Sequence, residues 1–433
     1  MTDAVPLRRN ARFQLLWLGS ATSQLGSELT NLTKPLLVLA LTGSAGLAGV
    51  VAGSRTAAYV LAQLPAGTWV DRADRRRVLL TGQAVQLVNA TVLALLVVTD
   101  RVQVQHLVLA GVVDGICAAF VNLAHTTAIR GIVPSEQLPA AFAQEESRSH
   151  AAKLAGPPLG GLLHGFGRAV PFVVDALTFT VALLCSLGAR VPRRPAGERP
   201  GTAAQEKGED RGAERTRRSM LREAGEAVTW VWRQPGLRAA CAVVAMLNLL
   251  GGSFLLPVIV LVGERGGDAL TTGTVLAAVG IGGLVGALLS GRTVTLLPPG
   301  KLLITFVTLF GVALVVMPLP LGTWWPMVPL ALVAFSTPAL NVGMEVVLAR
   351  MVPEQMLGRA GAVLTTTYFG LAPLGPVLGG TAATLLGGAG ALVLVGGLLL
   401  LTAAGAASSR VLRAFTGEAP EDSTTTTEAE PVS

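Results

Sequence analysis

Apolar positions in this chain follow neither the two-residue period of a strand nor the single stripe of a soluble amphipathic helix. They gather into long uncharged runs separated by short polar breaks. A helix that crosses a bilayer needs about 20 mostly apolar residues. Twelve runs of that kind are read, at 13–41, 46–69, 78–98, 104–129, 138–164 and 169–189, and then at 236–262, 269–290, 301–319, 325–349, 358–383 and 386–407. The pattern predicts an all-α membrane protein with twelve transmembrane helices in two six-helix halves.

The polar remainder divides the chain. The stretch 190–235, with "RRPAGERPGTAAQEKGEDRGAERTRR" at its heart, is poor in apolar residues and rich in charge, as expected of a disordered linker. The acidic, Thr-rich end is read as a disordered tail. The expected domains are therefore a half at 1–189, a linker at 190–235, a second half at 236–407 and a tail at 408–433.

Composition fits this reading: 51% of the residues are hydrophobic and only 14% are charged, whereas soluble domains average about 25% charged. The N-terminus does not read as a cleavable signal, since its apolar stretch exceeds a signal core and no small-residue cleavage site follows. Of the 33 Lys and Arg residues, only Arg101, Arg168 and Arg265 fall in loops on the side opposite the termini, and Lys34, Arg55, Arg148 and Lys153 lie within spans. All the others lie on the termini side, which the positive-inside rule places in the cytoplasm. That distribution explains the net charge of +7 through the bilayer, with no nucleic-acid partner. Cys117, Cys185 and Cys241 lie in apolar runs without disulfide or metal spacing and read as packing residues.

One phrase occurs twice. "GPPLGG" carries Gly156, Pro157, Gly160 and Gly161, and 219 residues later "GPVLGG" carries Gly375, Pro376, Gly379 and Gly380. A Val-Pro pair precedes each copy at the same offset, Val133-Pro134 and Val352-Pro353. Six spans separate the copies, so both run in the same direction and the halves form a parallel repeat. Glycine lets helix backbones approach closely, and proline removes a backbone donor and can kink a helix. Tight packing and a moving interface both use such residues, and the equal offset favours an interface between halves. "GIGGLVGALLSG", 280–291, follows no strand, so it is a small-residue packing face through Gly282 and Gly286 rather than a nucleotide loop.

The most specific signal is the loop after the second span, "AGTWVDRADRRRVLL". It reads G-x-x-x-D-R-x-x-R-R with Gly67, Asp71, Arg72, Arg75 and Arg76. This resembles the signature loop of the major facilitator superfamily, and the resemblance covers about 13–407. "LLWLGSATSQLGSELT", "VPSEQLPAA" and "LAPLGPVLGG" look most like its twelve-span drug exporter branch, which includes macrolide and siderophore exporters. The resemblance implies that the loop stabilises one access state, with Asp71 near the start of the eleventh span and the arginines pairing with acids and lipid headgroups. The matching loop after the eighth span keeps Gly291, Arg292 and Lys301 but no acid. Drug–proton antiporters of this kind often carry an Arg in the fourth span; here the first is Arg130, at its end.

Charges inside spans are costly and need a cavity or a partner. In the fifth span, Glu145 and Glu146 stand at helical spacing from Arg148, His150 and Lys153, an arrangement that serves either a neutral ion-pair patch or proton binding. Glu28 and Lys34 lie in the first span, Arg55 in the second and Asp114 in the fourth, where Asp114 can pair with Arg55 or Lys34. Asp175 resembles a recurrent family position and reads as structural. Asn341 and Glu345 share a face of the tenth span. The candidates for proton coupling or substrate contact are Glu28, Arg55, Asp114, Glu145, Glu146, Arg148, Asn341 and Glu345.

The expected function is secondary active export of an amphipathic small molecule by alternating access, in exchange for protons. A monomer in a bacterial cell membrane, both termini cytoplasmic, suffices and no cofactor is called for. An ion-coupled uptake carrier is the alternative, and a non-transporting sensor a weaker one. An enzyme is disfavoured, because no span pairs a nucleophile with a base and the four His residues are scattered.

Overall fold

A computed structural model describes residues 6–70, 73–189, 229, 232–293, 297–351, 364 and 367–415, apart from the side chains at 64, 68, 291–293, 345, 346 and 348–350. Asp71, Arg72, nearly all of the linker, Val352-Pro353, the start of the eleventh span and the end of the tail lie outside the described residues, as does the Glu345 side chain.

The described elements are helical throughout. The first half holds α1 (Ala11–Thr42), α2 (Ala45–Val70), α3 (Arg75–Val98), α4 (Val104–Ile132), α5 (Leu138–Phe166) and α6 (Val170–Ala189). The second holds α7 (Pro235–Gly251), α8 (Leu255–Glu264), α9 (Ala269–Thr293), α10 (Pro299–Val316), α11 (Met327–Met351), α12 (Leu374–Ser408) and the short α13 (Arg410–Arg413). Local chemistry sets the boundaries. The Asn10 side chain accepts from Phe13 N at 3.2 Å to open α1, and Gly43 closes it in the left-handed conformation at φ 66°. Asp74 opens α3 by accepting from Arg76 N at 3.0 Å.

Nine stretches among the described residues are long and apolar enough to cross a membrane. The two long helices outside that set, α1 and α5, each carry several in-span charges, Glu28 and Lys34 in α1 and Glu145, Glu146, Arg148 and Lys153 in α5. One of the nine, Thr367–Ser408, has 42 residues, about 60 Å of helix at 1.5 Å per residue and twice the hydrocarbon thickness. It is broken at Gly387, where φ is 72°, and the Glu264 carboxylate accepts from Gly388 N at 2.9 Å to cap the segment beyond the break. The break lies just inside the start of the expected last span, 386–407. α7 and α8 likewise form one apolar stretch, Pro235–Glu264.

The packing repeats between halves. α1 packs on α5 and α6, α4 on α2 and α3, and α3 on α6; correspondingly α12 packs on α7, α8 and α10, and α11 on α9 and α10. Two seams join the halves, α5 against α9 and α2 against α12.

Candidate functional site

The repeated Gly-Pro phrase builds both seams, and its two copies do equivalent work. In α5, Gly156 and Gly160 lie against the α1 backbone and side chain at Glu28 and Leu29. In α12, Gly375 and Gly379 lie against the α7–α8 junction at Leu249, Gly252 and Ser253. The last glycine of each copy crosses to the other half: Gly161 meets the Ala269 carbonyl of α9, and Gly380 meets the Ala45 carbonyl of α2. The partner helices reciprocate, since Gly273 of α9 rests on the Pro157 carbonyl and Gly49 of α2 on the Pro376 carbonyl. A β-carbon at any of these four seam glycines would overlap a backbone oxygen, so the close approach requires glycine. The seam contacts sit toward the ends opposite the chain termini. Gly282 and Gly286 pack instead within their half, on the α11 backbone at Ala331 and Phe335.

Two polar layers cross the first half. The layer nearer the far ends centres on Lys34 of α1, whose Nζ lies 2.8 Å from Asp114 Oδ2 of α4 with side chains 8% and 13% exposed. Asn89 of α3 donates to Asp114 Oδ1 at 2.9 Å and to Ala110 O at 3.0 Å. Of the two pairings open in the sequence, Asp114 takes Lys34. Arg55 lies on α2 where α4 comes close, its backbone against Gly115 and its β-carbon near Gly111. Asp175 of α6 is 4% exposed; its Oδ2 accepts from Thr30 Oγ1 at 3.3 Å and its Oδ1 has no hydrogen-bond partner.

The layer nearer the termini joins α1, α4 and α5. Glu145 Oε2 receives Arg148 Nη2 at 2.7 Å and lies 3.1 Å from His125 Nε2. Arg148 Nη1 also donates to Ser20 O at 3.0 Å and to Gln24 Oε1, and Gln24 Nε2 donates to Ser149 Oγ at 3.0 Å. Glu145 Oε1 and Arg148 Nε are buried without partners. Glu146 stands apart from this network: its side chain is 70% exposed and its partner is His150, at 3.1 Å. The expected cluster of two acids and three bases is therefore two separate pairs, with Lys153 exposed. His150 itself faces Gly283 of α9 across the seam.

Glu28 sits between the layers, where its Oε2 accepts from Asn31 Nδ2 at 3.3 Å. Asn341 is exposed. Arg75 Nη1 donates to Thr127 O at 3.4 Å, tying the signature loop to α4. Gly67 has open space where a β-carbon would point, so close packing does not explain the glycine here. The cysteines are free thiols, and no metal-binding group of His, Cys, Asp and Glu occurs among the described residues.

His125, Asn89, Gln24 and Thr30 were not anticipated. Each is a polar residue within an apolar span, and that placement is the only sequence signal they carry. Among pairs between described residues, every salt bridge lies in the first half.

The comparisons with known proteins agree with this architecture. The family model of the Major Facilitator Superfamily matches residues 16–335 and 241–431. A multidrug efflux pump, Tap, of Mycolicibacterium fortuitum is 28% identical over 397 residues, covering 86% of this chain and 89% of the relative. Tap of Mycobacterium tuberculosis is 27% identical over 387 residues, covering 84% and 85%. Among solved structures, a bacterial homologue of the human lysosomal transporter Spinster, inward-facing and unoccupied, aligns with TM-score 0.69 at 16% identity over 95% of this chain and 98% of that one. A D-xylose–proton symporter aligns with TM-score 0.70 at 12% identity over 95% and 99%. With its seams, its parallel repeat and a family model that spans nearly its whole length, this chain belongs to the Major Facilitator Superfamily of membrane transporters.

Proposed function

We propose that this chain is a secondary active exporter of amphipathic, drug-like small molecules and that it works by proton antiport with alternating access. The observation that carries export is similarity to multidrug efflux pumps along 86% of the chain. Support for proton coupling comes from the two buried acid–base layers, since ionisable groups inside a membrane protein mark ion and substrate paths. The halves rock about the glycine seams, and the signature loop with Asp71 and Arg72 holds one of the access states. Twelve spans are counted by adding the charged α1 and α5 and dividing the last stretch at Gly387. A monomer in the bacterial cell membrane, with both termini in the cytoplasm, is the working form.

The test is compound accumulation in efflux-deficient bacteria that express the protein. Expression should lower accumulation of at least one dye or antibiotic, and a protonophore should abolish the effect. Raised accumulation would reverse the assigned direction. An effect insensitive to the protonophore would remove proton coupling.

A further inference from the structure

Within that reading, on which this inference rests, we propose that Asp175 carries the exchangeable proton and that Lys34 links its charge state to Asp114. The argument begins with solvation. Asp175 is the least exposed acid among the described residues at 4%, in a protein interior where an unpaired carboxylate is costly. Its Oδ1 has no partner. Its Oδ2 has only the Thr30 hydroxyl at 3.3 Å, and that single hydroxyl proton is shared with Gly26 O and Ser27 O at 3.3 and 3.2 Å. Two to three good donors stabilise a buried carboxylate; Asp175 has a third share of one. The neutral acid is the form this setting accepts.

The neighbourhood explains how the proton becomes exchangeable. Thr30 and Lys34 are four residues apart on α1, so they stack on one face, and both are buried, 1% and 7% exposed. The Asp175 carboxyl therefore lies one turn from the Lys34 ammonium, which is occupied by Asp114 at 2.8 Å. The charged groups that interact with Asp175 are Lys34 of α1, Asp114 of α4 and Arg55 of α2. Two acids thus compete for one lysine. While Lys34 holds Asp114, Asp175 keeps its proton. When a cationic substrate takes Asp114, Lys34 is released toward Asp175, whose proton then leaves to water as Asp175 becomes the lysine's partner. One proton leaves for each positive charge that enters, so the net charge of the occupied site is conserved. Asp175 lies five residues into α6, within about two turns of the end opposite the termini, so the proton enters from that side.

Purified wild-type and Asp175→Asn protein, reconstituted in liposomes, test this with ethidium as the probe. Asn matches the shape of the neutral acid and holds no exchangeable proton. The wild type should concentrate ethidium under an imposed pH gradient. Asp175→Asn should lose that accumulation down to the level of empty liposomes, yet retain ethidium binding and ethidium–ethidium exchange. Gradient-driven accumulation by Asp175→Asn equal to wild type would overturn the proposal. A wild type that exchanges ethidium but ignores the gradient would overturn proton coupling itself. Thr30→Val provides a second route, since it removes the one donor to Asp175 and no charge. It should shift the carboxylic-acid C=O stretch in the infrared spectrum and the pH dependence of ethidium affinity; no change in either would also overturn the assignment.

Discussion

Gly161 of α5 lies against the carbonyl oxygen of Ala269 of α9, with no room for a β-carbon between them. Gly380 of α12 has the same relation to Ala45 of α2. A pseudo-twofold repeat thus appears at the level of single atoms, and each half offers a glycine to a carbonyl of the other. Because the obstacle is backbone, a flexible neighbour cannot yield. Overpacking of this kind costs about 1–3 kcal/mol. Gly161→Ala and Gly380→Ala should each lower transport and shift the protein toward the state in which these ends separate, read as increased thiol labelling of a cysteine placed at Ala269 or Ala45. Gly397→Ala, where a β-carbon meets nothing within 4 Å, should behave as wild type.

Removing one member of the Lys34–Asp114 pair leaves a buried charge without compensation, which costs about 3–5 kcal/mol. Lys34→Ala and Asp114→Ala should therefore each lower the melting temperature in detergent. The double variant should recover much of the loss, because replacing both ions restores neutrality. Equal, additive losses would contradict the pairing.

Arg148 reaches Glu145, Ser20 O and Gln24 through two guanidinium nitrogens. A lysine is a point charge that cannot span these acceptors with a fixed fork. Arg148→Lys is expected to destabilise the α1–α5 contact despite keeping the charge, seen as a lower melting temperature and faster amide exchange in α1 around Ser20.

Outside the membrane, Asp268 opens α9 by accepting from Thr271 Oγ1 at 2.6 Å and Thr271 N at 2.8 Å. The side-chain and backbone hydrogen bonds from Thr271 hold its carboxyl below the ordinary value of 3.8. The ionised form is the one that accepts, so the cap is at full strength above that ordinary value and is lost as pH falls through the lowered one. Amide exchange at Thr271 should be unchanged from neutral pH down to about pH 4 and accelerate below it, after correction for intrinsic rates. In Asp268→Asn that acid-dependent step should disappear.

The spans, the parallel repeat and the seam glycines were legible because each is a local pattern: an apolar run, a phrase at fixed offset, a small residue among large ones. The Glu145–Arg148 and Glu146–His150 pairs followed from helical spacing alone. Spacing could not tell that Glu146 turns outward, since exposure depends on which neighbours cover each face. Lys34–Asp114 was one of two options, because its members lie on different helices and only their packing brings them together. Asn89 and His125 were missed for the same reason: their partners are Asp114 and Glu145, on other helices. Asp175 was read as structural, and its orphaned oxygen became visible only once α1 and α6 were in place.

The most direct measurement is ethidium movement into inside-out membrane vesicles from expressing cells when an inside-acid pH gradient is imposed without any other energy source. Proton antiport predicts that ethidium accumulates inside, that collapsing the gradient releases it, and that vesicles without the protein show neither. Accumulation that needs an inside-alkaline gradient, or that is indifferent to the gradient, would contradict the account.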